Sequence, residues 1–329
     1  MTGATIGADD YSRAFAALRG KLIGNNGERY AVFVRDLKPR YAIVYRDIAV
    51  GYVLLIGSFA LTVIAPAWHI PKLAAALVGA CLIGYWVAYL QLFLHEGAHY
   101  NLAGTKERSD RICDFAISWL IGTTVRAYRL VHFEHHRQLG TTNDSEFTYF
   151  FPLNLVFVLK ALFGIRAVEV MLFRRASTER TAAAAAKNRH DLLWLAAGVT
   201  IHAAIVAISL YLGWWWAALA WILGTGMAFP FFGSLRQLLE HRDDAASSMT
   251  DFQTRDHGAY TRLFGSDVFS ATFGGAGFNR HLLHHWEPQV SYTNLPELEA
   301  FLEGTDIKHI MDLRRTTYFA TFHRLWRNP

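Results

Sequence analysis

Residues 95–99 read His-Glu-Gly-Ala-His. Two histidines four apart share one helix face and can grip a metal ion, and the Glu between them can act as a general base, as on a zinc metalloprotease helix. Two further groups repeat the spacing: His132, His135 and His136 in HFEHH, and His281, His284 and His285 in HLLHH. Positions three and four apart face the same way, so each group can aim its imidazoles in one direction. His241, in RQLLEHR, is a ninth candidate, with Gln237 one turn earlier on the same face. The remaining histidines (His69, His190, His202, His257, His309 and His323) lack such companions and read as ordinary surface or satisfied core residues.

A structural zinc takes four ligands and a catalytic zinc three plus water. Eight or nine imidazoles are too many for one ion. They suit two ions, each with four or five nitrogens and an open position. Imidazole accepts zinc, copper, iron or nickel, so spacing alone leaves the metal open. An all-neutral ligand set leaves the metal charge high, which favours an ion that cycles between redox states and handles O2.

The elements that must position these groups are apolar. The 329 residues are 53% hydrophobic, and the apolar residues are clumped. No Asp, Glu, Lys or Arg lies between Asp47 and Lys72, between Lys72 and Glu96, or between Asp191 and Arg236. A bilayer core takes about 20 apolar residues per helix. The first two windows hold one span each and the third holds two, broken at Gly213-Trp214-Trp215-Trp216, where the Trp cluster suits a membrane interface. The expectation is four spans near 48–68, 73–94, 193–212 and 215–235. Of the 32 Lys and Arg residues, all but Lys72 fall on one side of this arrangement. The positive-inside rule makes that side cytoplasmic. The expected fold is an all-α integral membrane protein, with two transmembrane hairpins and both termini in the cytoplasm. A cytoplasmic helical cap from 1–47, 95–192 and 236–329 carries all three histidine groups. The first apolar run starts too late, near residue 48, for a signal peptide. Cys81 and Cys113 lie on different sides of the interface, so no disulfide and a reduced compartment are expected. The net charge of +5 suits anionic lipid headgroups, and no nucleic-acid module is present. The Ala run 182–186 is expected to be helical. There is no internal repeat and no flexible linker, so 1–329 reads as one domain.

Three boxes of H-x-x-x-H, H-x-x-H-H and H-x-x-H-H on four such spans resemble the membrane fatty acid desaturase family over roughly residues 45–290. The resemblance implies an integral non-haem di-iron oxygenase, with two iron ions as cofactor and O2 as co-substrate. His241 resembles the family's additional histidine after the last span, and Gln237 sits where acyl-CoA desaturases carry an Asn that reaches iron through water. Gly140-Thr141-Thr142-Asn143-Asp144-Ser145-Glu146 resembles the polar stretch after the second box. Gly277-Phe278-Asn279-Arg280 resembles the run into the third. On this reading Glu96 is an orienting or incidental residue. The other candidates to orient ligands are Glu134, Asp144, Glu240, Asp243, Asp244 and Asn279, with Glu134 and Glu240 favoured because each directly precedes a ligand His.

The expected reaction is hydrogen abstraction from an unactivated C–H bond, giving a double bond in a lipid or fatty-acyl chain. Hydroxylation or ketone formation shares the first abstraction and stays open. So does a non-catalytic metal-binding membrane protein. The chain has no haem, flavin, dinucleotide or iron–sulfur motif, so electrons are expected from a separate ferredoxin-like donor with its reductase. Arg137, Arg242 and Arg280 are candidates to dock it. The literal protease reading needs another acidic or histidine ligand in a later span. Residues 193–235 contain no Asp or Glu, and that reading leaves the second and third groups unexplained.

Overall fold

The computed structural model describes residues 9–178 and 189–328, so the Ala run 182–186 lies outside the described residues. These are all-helical, with isolated bridges only between Ile23 and Arg29 and between Leu263 and Arg315. The chain divides into two compact units.

The apolar unit comprises residues 41–132 and 155–235. It contains α1 (Tyr41–Ile64) and α2 (Lys72–Ala98). Pro66 converts the end of α1 into a tighter turn, Ala65–Trp68, and His69 reverses the chain at φ 61°. Helix α2 runs beyond its charge-free window because neither His95 nor Glu96 breaks a helix; it stops at His99, and Tyr100 takes φ 63°. Next come α3 (Val125–Gln138), which continues into the second unit after His132, and α4 (Arg189–Tyr211). Gly213, at φ 75°, ends the third apolar helix and α5 (Trp215–His241) begins after it, with a widened π turn at Gly224–Ala228. Among the described residues, four helices are therefore long and apolar enough to cross a membrane: Tyr41–Trp68, Lys72–Ala98, Asp191–Tyr211 and Trp215–His241.

These helices meet through small residues, as membrane helices do. A Cβ on Gly84 would lie 2.4 Å from Ala228 Cβ and 2.7 Å from the Phe229 backbone, so only glycine lets α2 and α5 approach this closely. Several polar groups inside the unit are paired across helices. Trp216 Nε1 donates to Thr62 O at 2.9 Å, with Lys72 4.6 Å above its ring. His202 donates from Nε2 to Leu120 O at 3.0 Å and accepts Trp221 Nε1–H at Nδ1, also at 3.0 Å. It is a staple between helices.

The second, polar unit comprises described residues 9–40, 133–154 and 236–328. Its core packs around α6 (His281–Trp286), whose Leu282, Leu283 and Trp286 are buried with Phe15, Tyr30 and Leu298. Trp286 stacks on Phe15 at 4.6 Å and donates to Asp10 O at 2.8 Å. In HLLHHW the apolar positions and the histidines occupy opposite faces, so burying one face turns the three imidazoles the other way.

Candidate metal centre

In the apolar unit, the last turn of α2 supplies His95 and His99, and α3 supplies His132. All three are buried. His99 Nε2 lies 2.9 Å from His132 Nε2, and the His95 and His132 ring centres are 4.3 Å apart. Arg129, one turn before His132, fixes this arrangement. It donates to Ala98 O at 2.8 Å and Gly97 O at 2.9 Å, two carbonyls in the last turn of the helix. Its guanidinium also pairs with Asp110 and lies 3.8 Å over the Tyr100 ring. Tyr128 stacks on His132 at 5.4 Å. Burial, with Arg129 adding, pushes His99 down to about 3, so its imidazole is neutral and able to ligate.

In the polar unit, His136 Nε2 and His284 Nε2 stand 3.0 Å apart. Beside them, His135, His241, His281 and His285 bring one nitrogen each within 4.8 Å of all the others. His281 Nε2 is 3.0 Å from His241 Nε2 and 3.2 Å from His285 Nε2. Nitrogens bound about 2.1 Å from a shared ion at right angles stand about 3 Å apart.

The outer hydrogen bonds settle what these nitrogens offer. His135 Nδ1 is 2.8 and 3.0 Å from the two oxygens of buried Asp144. A carboxylate only accepts, so Nδ1 carries the proton and Nε2 presents a lone pair. His241 Nδ1 donates to Tyr260 O at 3.0 Å, with the same consequence. Two obligate acceptors thus join a set of four imidazole nitrogens, three of them on buried histidines and the fourth on half-buried His285. A cation satisfies them together, so the residues fit a metal. His285 is held well below the ordinary histidine range by burial, and its histidine neighbours push the same way.

The orienting candidates fall differently. Asp144 contacts a clustered histidine; it also accepts Tyr149 O–H at 2.5 Å and Glu146 N–H at 2.8 Å. Tyr149 in turn accepts Gly140 N–H at 2.7 Å. Glu134 pairs with Arg137 on the helix surface, because adjacent residues point about 100° apart on a helix. Glu240 is buried between Tyr318, at 3.1 Å, and Arg236, at 3.6 Å. Glu96 is buried, 3.9 Å from His95 Nδ1. Gln237 donates to Glu146 at 2.7 Å. Asn279 holds Gly265 O at 3.2 Å, pinning the approach to α6. Asp244 binds Arg262 and Arg324, and Asp243 caps the Ala245 N–H.

Arg242 and Arg280 do not offer free charge for docking a donor. Arg242 is fully buried, donating to the carbonyls of Tyr149 and Phe150, and Arg280 is paired with Glu299 at 2.7 Å. Arg129, Tyr128 and Tyr149 are contributors that the histidine pattern misses. Arg129 and Tyr128 were accessible through the i, i+3 and i, i+4 rule applied backward from His132; Tyr149, beyond a turn, carries no local signal.

No curated protein matches the chain. A family model described as fatty acid desaturase matches residues 71–317, well over half of the chain and a stretch that contains all nine clustered histidines. This protein belongs to the fatty acid desaturase family.

Proposed function

We propose that the protein is an O2-dependent oxidoreductase that introduces a double bond into a lipid or fatty-acyl chain, using two iron ions and an external electron donor. His135, His241, His281 and His285 serve one ion, and His95, His99, His132, His136 and His284 are the further metal ligands. Bound iron would supply O2 reduction and hydrogen removal from an unactivated C–H bond. Removing two hydrogens from adjacent carbons, with two electrons and two protons from outside, balances reduction of O2 to two waters. The chain's own part is to hold neutral imidazoles in place. Asp144 keeps the His135 proton on Nδ1, Tyr260 O does the same for His241, and Arg129 locks the end of α2.

The carrying observation is the set of four nitrogens with two tautomers dictated from outside. The Lys and Arg distribution supports two hairpins in the inner membrane, with both termini and the histidines cytoplasmic. Both compact units are taken as parts of one catalytic domain, and the donor as a ferredoxin-like protein.

Metal content of detergent-purified protein from cells supplied with iron and zinc tests the reading. Close to two irons per chain is expected. One zinc per chain returns His95-Glu96-Gly97-Ala98-His99 to its protease meaning. With iron present, a reductant-driven turnover assay then separates an unsaturated product from a hydroxylated or ketone product. No product at all marks a metal-binding protein without catalysis.

A further inference from the structure

The Lys and Arg bias assigns all of 95–192 to the aqueous cap, yet residues 155–172 have the surface of something else. Two short helices, Leu155–Leu162 and Ile165–Thr178, are joined through Phe163 and Gly164, the latter at φ 71°. Leu155, Leu159, Phe163, Val168, Met171 and Leu172 are 44–62% exposed. Of the three charged groups, Arg166 turns inward, and Lys160 and Glu169 are half-buried. Arg166 is 3% exposed and bonds Glu169 at 2.6 Å, and Lys160 bonds the other oxygen of Glu169 at 2.7 Å. The Arg166 guanidinium also sits 5.4 Å from the Phe157 ring. A helix on a water-facing surface has the reverse polarity.

The position of the turn adds a second, independent observation. A Cβ on Gly164 would lie 3.4 Å from Gly226 O, so the turn rests on α5 at its π turn. Gly226 precedes Leu235, where the charge-free stretch ends, by nine residues. At 1.5 Å per residue that is roughly 13 Å along the helix, against a hydrocarbon core of about 30 Å.

We propose that residues 155–172 form a re-entrant helical hairpin whose outer face is covered by lipid acyl chains, dipping toward the bilayer midplane and returning to the side it came from. Helices satisfy their own backbone groups, so such a segment is tolerated in hydrocarbon. The Arg166–Glu169–Lys160 pairing sets the charges of the segment against one another, with Arg166 buried. The proposal rests on α5 crossing the membrane, and it leaves the side assigned to both flanking segments unchanged.

The test uses the full chain with Cys81→Ala, reconstituted in phosphatidylethanolamine–phosphatidylglycerol vesicles. Nitroxide labels at Leu159→Cys, Phe163→Cys and Val168→Cys are compared with one at Val53→Cys, on the exposed face of α1. Collision rates with O2 and with a water-soluble nickel chelate are read. The expected result is loss of nickel collisions and retention of O2 collisions at all four sites, with Phe163 the deepest of the three hairpin positions. Nickel access at Leu159 and Val168, with a lipid signature at Val53, overturns the hairpin while leaving the spans standing. Nickel access at Val53 removes both. Loss of both reagents at the hairpin sites overturns the lipid assignment, since a second copy of the chain would then cover the face.

Discussion

His135 shows how a single side chain is prepared to bind a metal. Its helix aims it, but Asp144 decides which nitrogen bears the proton. Replacing Asp144 by Asn keeps the volume and removes the charge. Metal affinity is expected to fall about 10- to 100-fold, the usual cost of losing an orienting partner, measured by competition with a chelator. Tyr149→Phe removes only the hydroxyl bonded to Asp144 and is expected to have a smaller effect in the same assay. Replacing His135 or His284 with Ala should abolish turnover while the protein still partitions into the membrane; full activity in either variant sinks the ligand assignment.

His257 belongs to the same scale and carries the pH dependence. Its Nδ1–H donates to Gly258 O at 2.8 Å, and Nε2 accepts Asp243 N–H at 3.3 Å, so its contacts require the neutral ring. Burial pushes it down to about 4 from the ordinary 6.5. As pH falls, the unfolded chain takes the proton first. The stability at stake is therefore intact above about pH 6.5 and lost as pH drops toward 4, by about 3 kcal/mol at most. Thermal unfolding of His257→Gln, which cannot be protonated, should vary less than wild type across that window.

At the scale of elements, α6 is positioned by its apolar face. Leu283 is fully buried, and Leu283→Ala should cost about 2–5 kcal/mol of stability and lower metal occupancy with it, read by denaturant unfolding and metal analysis together. Arg129 acts between elements. Arg129→Ala removes the side-chain donor to the Gly97 and Ala98 carbonyls at the end of α2, whereas Arg129→Lys retains one donor. The expected order of bound metal is wild type, then Lys, then Ala. Both helices were visible in the sequence as spacing and hydropathy. The end of α2 was not, since that helix continues past its apolar window until the backbone turns at Tyr100, whereas the break at Gly213 was legible. The face of residues 155–172 was also hidden, because a count of Lys and Arg does not say which way each one points.

For the whole molecule, the four apolar helices and the asymmetry of positive charge make topology the first property to check. Tags on either terminus should resist protease in sealed right-side-out cells, and cleavage of one of them overturns the assigned orientation.

Residue type and spacing alone determined the family resemblance, the four apolar helices and the nine clustered histidines, because both periodicity and hydropathy are local properties of the chain. Helix ends and partner choice depend on residues far apart in sequence, and only the tertiary structure decided those. Glu134, next to a clustered histidine in sequence, turned out to face Arg137, while Asp144, nine residues from His135, holds its ring. Arg242, one residue after His241, proved to be interior rather than a docking charge. Adjacency along a helix rotates a side chain by about 100°, and a hydrogen-bond partner is chosen by where the fold brings an oxygen within about 3 Å.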